Sequence, residues 1–87
     1  MAQRPHRATD PIDVVWDERR RRPQTFVWRG RRRRVDRVID AWVTETGWWD
    51  EAVRVSRRHY RVQSEGRLYD LCYDRVARVW LLEGAVA

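Results

Sequence analysis

Apolar and polar residues alternate in several short stretches of this chain, and each stretch ends in a turn signal. Ile12, Val14 and Trp16 alternate with Asp13, Val15 and Asp17, and Phe26 and Trp28 alternate with Thr25, Val27 and Arg29. Tyr60 and Val62 share a register, and Tyr69, Leu71 and Tyr73 oppose Leu68, Asp70 and Cys72. A period of two belongs to a strand with one buried face, because successive side chains point to opposite sides. The intervening segments "ERRRRP", "RGR", "TETGWWDEA", "SEGR" and "DRVA" supply turn and loop chemistry. The final segment "RVWLLEGAV" sets Val79 and Leu81 against Trp80 and Leu82. This pattern predicts an all-β fold: a single small antiparallel meander of about six strands, curled into a barrel-like or sandwich sheet.

One segment is ambiguous. In "RVDRVIDAWV", Val35, Val38, Ile39 and Trp42 fall at helical spacing, whereas a regular strand would mix polar and apolar residues on both faces. β-Branched residues dominate and no clear N-cap precedes them, which favours a strand with a bulge near Arg37. One short helix over residues 35–43 is the alternative. Residues 1–11, "MAQRPHRATDP", are polar, carry two prolines and show no period. They are expected to form a flexible tail ahead of one β domain over residues 12–87.

Eighty-seven residues suffice for one domain only. A domain of that size buries about 60% of its unfolded surface, so each large side chain counts. Six tryptophans, three tyrosines and one phenylalanine can fill a small core. Trp16, Trp28, Trp42 and Trp80 stand in registers that suit packing. Trp48 and Trp49 are adjacent in a loop and cannot easily both be buried, so one exposed ring is the best single candidate for a partner contact.

All nineteen basic residues are arginine. Residues 1–34 hold eleven arginines against four acids, a net of +7; residues 35–87 hold eight against nine, a net of −1. The excess comes from two tetrads, Arg19, Arg20, Arg21 and Arg22, and Arg31, Arg32, Arg33 and Arg34. Four arginines within one strand would send two toward the core, where unpaired charge is costly. Arg31 and Arg32 are therefore expected in a turn made by Gly30, with Arg33 and Arg34 opening the next strand. The first tetrad is expected in a solvated connection. The two hairpin tips would then lie about 20 Å apart, at opposite ends of the second strand. Solvated turns in an arginine-biased proteome account for the tetrads as well as function does. The functional reading is contact of both tetrads and Arg29 with a nucleic-acid backbone. About six neutralised phosphates would give a salt slope near −5. No motif for base-specific readout is present.

The succession "VWDE", "RP", "FVWRGRRRRVDRVIDAW", "TGWWD", "RHYRV", "GRLYDLCYD" and "VWLL" resembles a small bacterial domain family of unknown function. It also resembles the C-terminal segment of the catalytically inactive Y-family polymerase-like subunits of the bacterial mutasome. The resemblance spans residues 12–83. Its most specific marks are Trp28-Arg29-Gly30-Arg31, Val38 to Trp42, Trp48-Trp49, and Tyr69, Leu71 and Asp74. Similar sequences usually carry an apolar or aromatic residue at the Arg33 position and often glycine in the link at residues 19–22, so this chain adds charge at both. The resemblance implies a free-standing accessory module in replication, repair or lesion bypass, with DNA a better partner than RNA.

Catalytic chemistry is hard to find. His59 and Cys72 could pair, but spacing offers no orienting group, and a lone buried cysteine is more often inert packing. One cysteine and two histidines show no zinc spacing, so no metal and no other cofactor is expected. Asp36, Asp40 and Asp50 have arginine-rich neighbours and suit salt bridges. No glycine-rich phosphate loop exists. The chain is expected to be non-enzymatic and, having one cysteine and no membrane-length apolar run, cytoplasmic. A second reading is a protein-interaction module that docks a partner of the replication or repair machinery through a sheet edge or the Trp48-Trp49 loop. Open edges would also permit a homodimer.

Overall fold

The computed structural model describes residues 10–47 and 49–86. The alternating stretches form seven antiparallel strands: β1 (Asp10–Asp17), β2 (Arg22–Trp28), β3 (Arg31–Arg34), β4 (Arg37–Thr46), β5 (Val55–Ser64), β6 (Arg67–Asp74) and β7 (Val79–Val86). They lie in the order β3-β2-β1-β7-β6-β5-β4 and curl into a half-barrel. The all-β expectation holds, with seven strands in place of six.

The extra strand comes from the ambiguous segment, where the expected layout needs correcting. Arg29 and Gly30 both have positive φ, as a two-residue type I′ hairpin turn requires. All four arginines of the second tetrad therefore lie in β3, and none belongs to the turn. Residues 37–46 form a separate strand at the opposite edge of the sheet. Val35 and Asp36 make the crossing: Val35 N–H donates to the Gln24 carbonyl and Asp36 N–H to the Gln63 carbonyl. This link ties β2 to β5, and Val35 is buried within it. Among the described residues the only helical element is a single 3-10 turn, Glu51–Val53.

The helical spacing of Val38, Ile39 and Trp42 reflects a β-bulge. Val38 pairs with Val62 and Asp40 with Arg61, leaving Ile39 as the extra residue. The bulge changes which parity faces inward. Val38 packs on the core before it; Ala41 and Val43 line the inner face after it.

β1 begins at Asp10, so Asp10 and Pro11, assigned above to the tail, pair with Leu82 and Leu81 of β7. The rest of the tail lies outside the described residues. The first half of β1 pairs with β7 and the second half with β2, which gives the sheet its bend. Two four-residue turns share one device. The carboxylate of Asp17 accepts from Arg19 and Arg20 N–H, and that of Asp74 accepts from Val76 and Ala77 N–H. Each turn closes on an arginine at positive φ, Arg21 and Arg78.

The core lies on the inner face. Ile12, Phe26, Val35, Tyr60, Val62, Tyr69, Leu71 and Leu82 are buried, with Val14, Trp16, Trp28, Val38, Trp80 and Ala85 packed around them. Trp42 does not join them, contrary to its expected packing role. It lies on the outer face, stacked on His59 at 5.1 Å and 8°.

Candidate nucleic-acid interface

A four-ring cluster stands beside the core on the inner face. Trp16 of β1, Tyr60 of β5, Tyr73 of β6 and Trp80 of β7 come together because the strands present these positions inward. Trp80 lies 6.1 Å from Trp16, 5.8 Å from Tyr60 and 5.2 Å from Tyr73. These rings and Arg58 line a cavity of about 260 Å³. Arg58 and Tyr60 continue into a second depression, which Arg21 of the β1–β2 turn reaches. Beyond that turn lies a polar cleft of about 620 Å³ lined by Asp17, Arg19, Arg20, Gln24 and Arg34. The trough and the second depression share Arg58 and Tyr60, whereas the polar cleft lies on the other side of the turn, on the outer face to which Arg34 points with Thr25 and Val15.

The tetrads therefore meet in part. The two turns do lie at opposite ends of β2, as expected. β3, however, runs back antiparallel along β2, pairing Trp28 with Arg31 and Thr25 with Arg34. Its last residue, Arg34, returns to the first tetrad. Arg19, Arg20 and Arg34 are exposed, and their side chains make no ion pair with any described residue.

The other arginines are used differently. Arg22 opens β2 half-buried, and its Nε has no hydrogen-bond partner among the described residues. Arg29 lies 4.4 Å from the Trp28 ring centroid. Arg31 grips the Glu65 carboxylate through both oxygens, at 3.1 and 3.0 Å. Arg32 is exposed. Arg33, paired with Phe26, points inward. It lies over Trp28 and Tyr69 at 5.4 and 5.5 Å and donates to the Tyr69 hydroxyl at 3.2 Å. Of the nine arginines singled out in the sequence, Arg19, Arg20 and Arg34 line the polar cleft and Arg21 reaches the inner-face depression. There Arg58 and the four rings join Arg21. Their strand registers were legible in the sequence, but their meeting was not, since they come from four strands. Trp49 is 70% exposed; Trp48 lies outside the described residues.

The outer face carries a separate polar cluster. His59 of β5, Cys72 of β6 and Trp42 of β4 are cross-strand neighbours. His59 Nδ1 lies 2.6 Å from Glu83 Oε1, and Nε2 lies 3.0 Å from Thr44 Oγ1. The fold thus supplies the orienting groups that spacing did not reveal. Cys72 is fully buried, and burial, reinforced by the Glu83 carboxylate, pushes its thiol up to about 12. A thiol held neutral in this way is a poor nucleophile. Flanking ion pairs, Arg57–Asp74 at 3.6 Å and Arg61–Asp70 at 2.8 Å, frame the cluster.

No curated protein and no solved structure matches the chain. A family model does match, over residues 2–84, nearly the whole sequence. The chain belongs to the family described as a domain of unknown function, DUF6504.

Proposed function

We propose that this domain is a non-enzymatic nucleic-acid-binding module that leads a single strand from the aromatic trough of its inner face, over the β1–β2 turn, into the arginine cleft on the other side. One observation carries the reading: β3 returns Arg34 to Arg19 and Arg20, beside a turn whose Arg21 leads into an aromatic trough. A charged groove that tracks phosphates, next to rings on which bases stack, is what sequence-tolerant single-strand binding requires. Guanidinium groups suit the phosphates, since their forks bind two oxygens at once. DNA and a replication or repair setting are proposed on the sequence resemblance to mutasome subunits.

Fluorescence anisotropy with single- and double-stranded DNA at several salt concentrations tests this. The five arginines along this path, Arg19, Arg20, Arg21, Arg34 and Arg58, predict a slope of log K against log salt near −3.5 for a single strand. The triple variant Arg19→Ala/Arg20→Ala/Arg34→Ala should make that slope shallower by about 2. Arg32→Ala, which lines neither the trough nor the cleft, should change it far less. No binding at low salt would eliminate the proposal.

A second reading has its own observation. β4 is a ten-residue edge strand with Ile39, Trp42 and Val43 exposed, whereas the other edge, β3, is four arginines. Charged, short edges resist pairing, and long apolar ones invite it. β4 would then take a strand from a protein partner or a second copy. Ile39→Lys should abolish any dimer seen by analytical ultracentrifugation while leaving DNA binding intact. A strictly monomeric wild-type protein would rule out the second copy.

A further inference from the structure

The outer-face cluster has the composition and size of a metal site. His59, Cys72 and Glu83 come from three adjacent strands, and a ring nitrogen, the thiol sulfur and a carboxylate oxygen all lie within 4.8 Å of one another. In a tetrahedral zinc site, bonds of about 2.0–2.3 Å place ligand atoms roughly 3.2–3.7 Å apart. The triangle brackets that range. The His59–Glu83 pair, at 2.6 Å, needs to open by about 0.6 Å to admit an ion.

A second feature points the same way. β7 carries a bulge at Glu83: Leu71 pairs with Leu82, and Asp70 with Gly84. Glu83 is left without a cross-strand partner, and its carboxylate meets His59 on the Cys72 side of the sheet. Alternation sets Glu83 on the face of Leu81 and Cys72, and the bulge releases it from the ladder there; bulges concentrate at functional sites. The surroundings are also those of a ligand set. Thr44 Oγ1 holds the second ring nitrogen of His59, and Trp42 stacks on the ring and fixes its plane. Such partners orient metal-binding histidines and set their tautomer.

We propose that His59, Cys72 and Glu83 bind one divalent cation of the zinc class, with a fourth position left for water. This departs from the expectation, drawn from spacing alone, that no metal is bound. A nitrogen, thiolate and carboxylate set suits a borderline-soft ion such as zinc and not magnesium or calcium. Binding removes the Cys72 thiol proton to solvent as the sulfur–metal bond forms. Glu83 exchanges its contact with the ring for the ion; Nδ1 gives up to solvent the proton it donated to Glu83 and supplies its lone pair to the ion, while Nε2 takes a proton from solvent and donates it to Thr44 Oγ1.

Cobalt(II) is the probe. Adding it to the reduced, metal-free protein should produce thiolate-to-cobalt charge-transfer absorption in the near ultraviolet, and zinc should abolish that absorption. Cys72→Ser should lose the band. Glu83→Gln keeps a hydrogen-bond acceptor for His59, so it should fold, yet its cobalt affinity should fall at least tenfold. Thr44→Val should weaken binding about 10–100-fold. Urea midpoints of the metal-free variants separate lost ligation from lost folding. No band in the wild type at millimolar cobalt overturns the proposal. So does a band that Glu83→Gln and His59→Gln, both folded, leave unchanged.

Discussion

Phe26→Ala is expected to cost the domain about 3–5 kcal/mol. The ring is fully buried at the centre of the inner face, 5.1 Å from Tyr69 in an edge-on contact. Its removal takes away apolar contact and leaves a cavity that neighbours on three strands cannot fill, since each is held by its own ladder. A domain of this size has a total stability of order 5–10 kcal/mol, so the loss approaches all of it. Urea denaturation followed by tryptophan fluorescence should show the midpoint collapse and, in the residual native state, a broadened near-ultraviolet circular dichroism spectrum. Val76→Ala, in an exposed turn, should stay within about 0.5 kcal/mol of the parent. A Phe26→Ala protein within 1 kcal/mol of wild type would mean that the core is organised around other contacts.

The aromatic trough carries the second large effect. Trp16→Leu/Tyr73→Leu removes two of its four rings and keeps apolar bulk against the core. Stacking contributes about 1–3 kcal/mol per base, so single-stranded DNA affinity should fall at least tenfold and up to several hundredfold. Arginine contacts remain, so the salt slope should be nearly unchanged. Duplex binding, which offers no unpaired base, should change little. That split between affinity and slope separates stacking from charge, and a folded double variant with wild-type affinity for the single strand would remove the trough from the interface. A shallower slope with stacking intact is the signature of the arginine variants instead.

The sites differ in how far they could be read in advance. Asp17 and Asp74 announce their turns through side-chain chemistry, and Arg29-Gly30 announces a tight one, because each depends on residues two or three positions apart. Period-two alternation at Phe26/Trp28 and Tyr69/Leu71/Tyr73 shows which side of each strand is buried. The bulges at Ile39 and Glu83 break that alternation. At Ile39 the break imitates a helix, and at Glu83 it follows a carboxylate that alternation already sets on the Leu81 face, beside His59 and Cys72, and turns Gly84 to that face as well.

The chain by itself determined the β class, the turns at Asp17 and Asp74 and the inward faces of the regular strands, all set by interactions between near neighbours. It did not determine the extent of the Arg29-Gly30 turn or the inward face of the bulged β4. Strand order was decided only by the tertiary structure. Arg34 lies fourteen positions from Arg20, and Trp16 lies sixty-four from Trp80. Nothing local links them. They meet because β3 turns back along β2 and because β1 pairs with the last strand. Long-range ladders of this kind depend on which edges remain unpaired after the local hairpins close, and that is a property of the whole sheet.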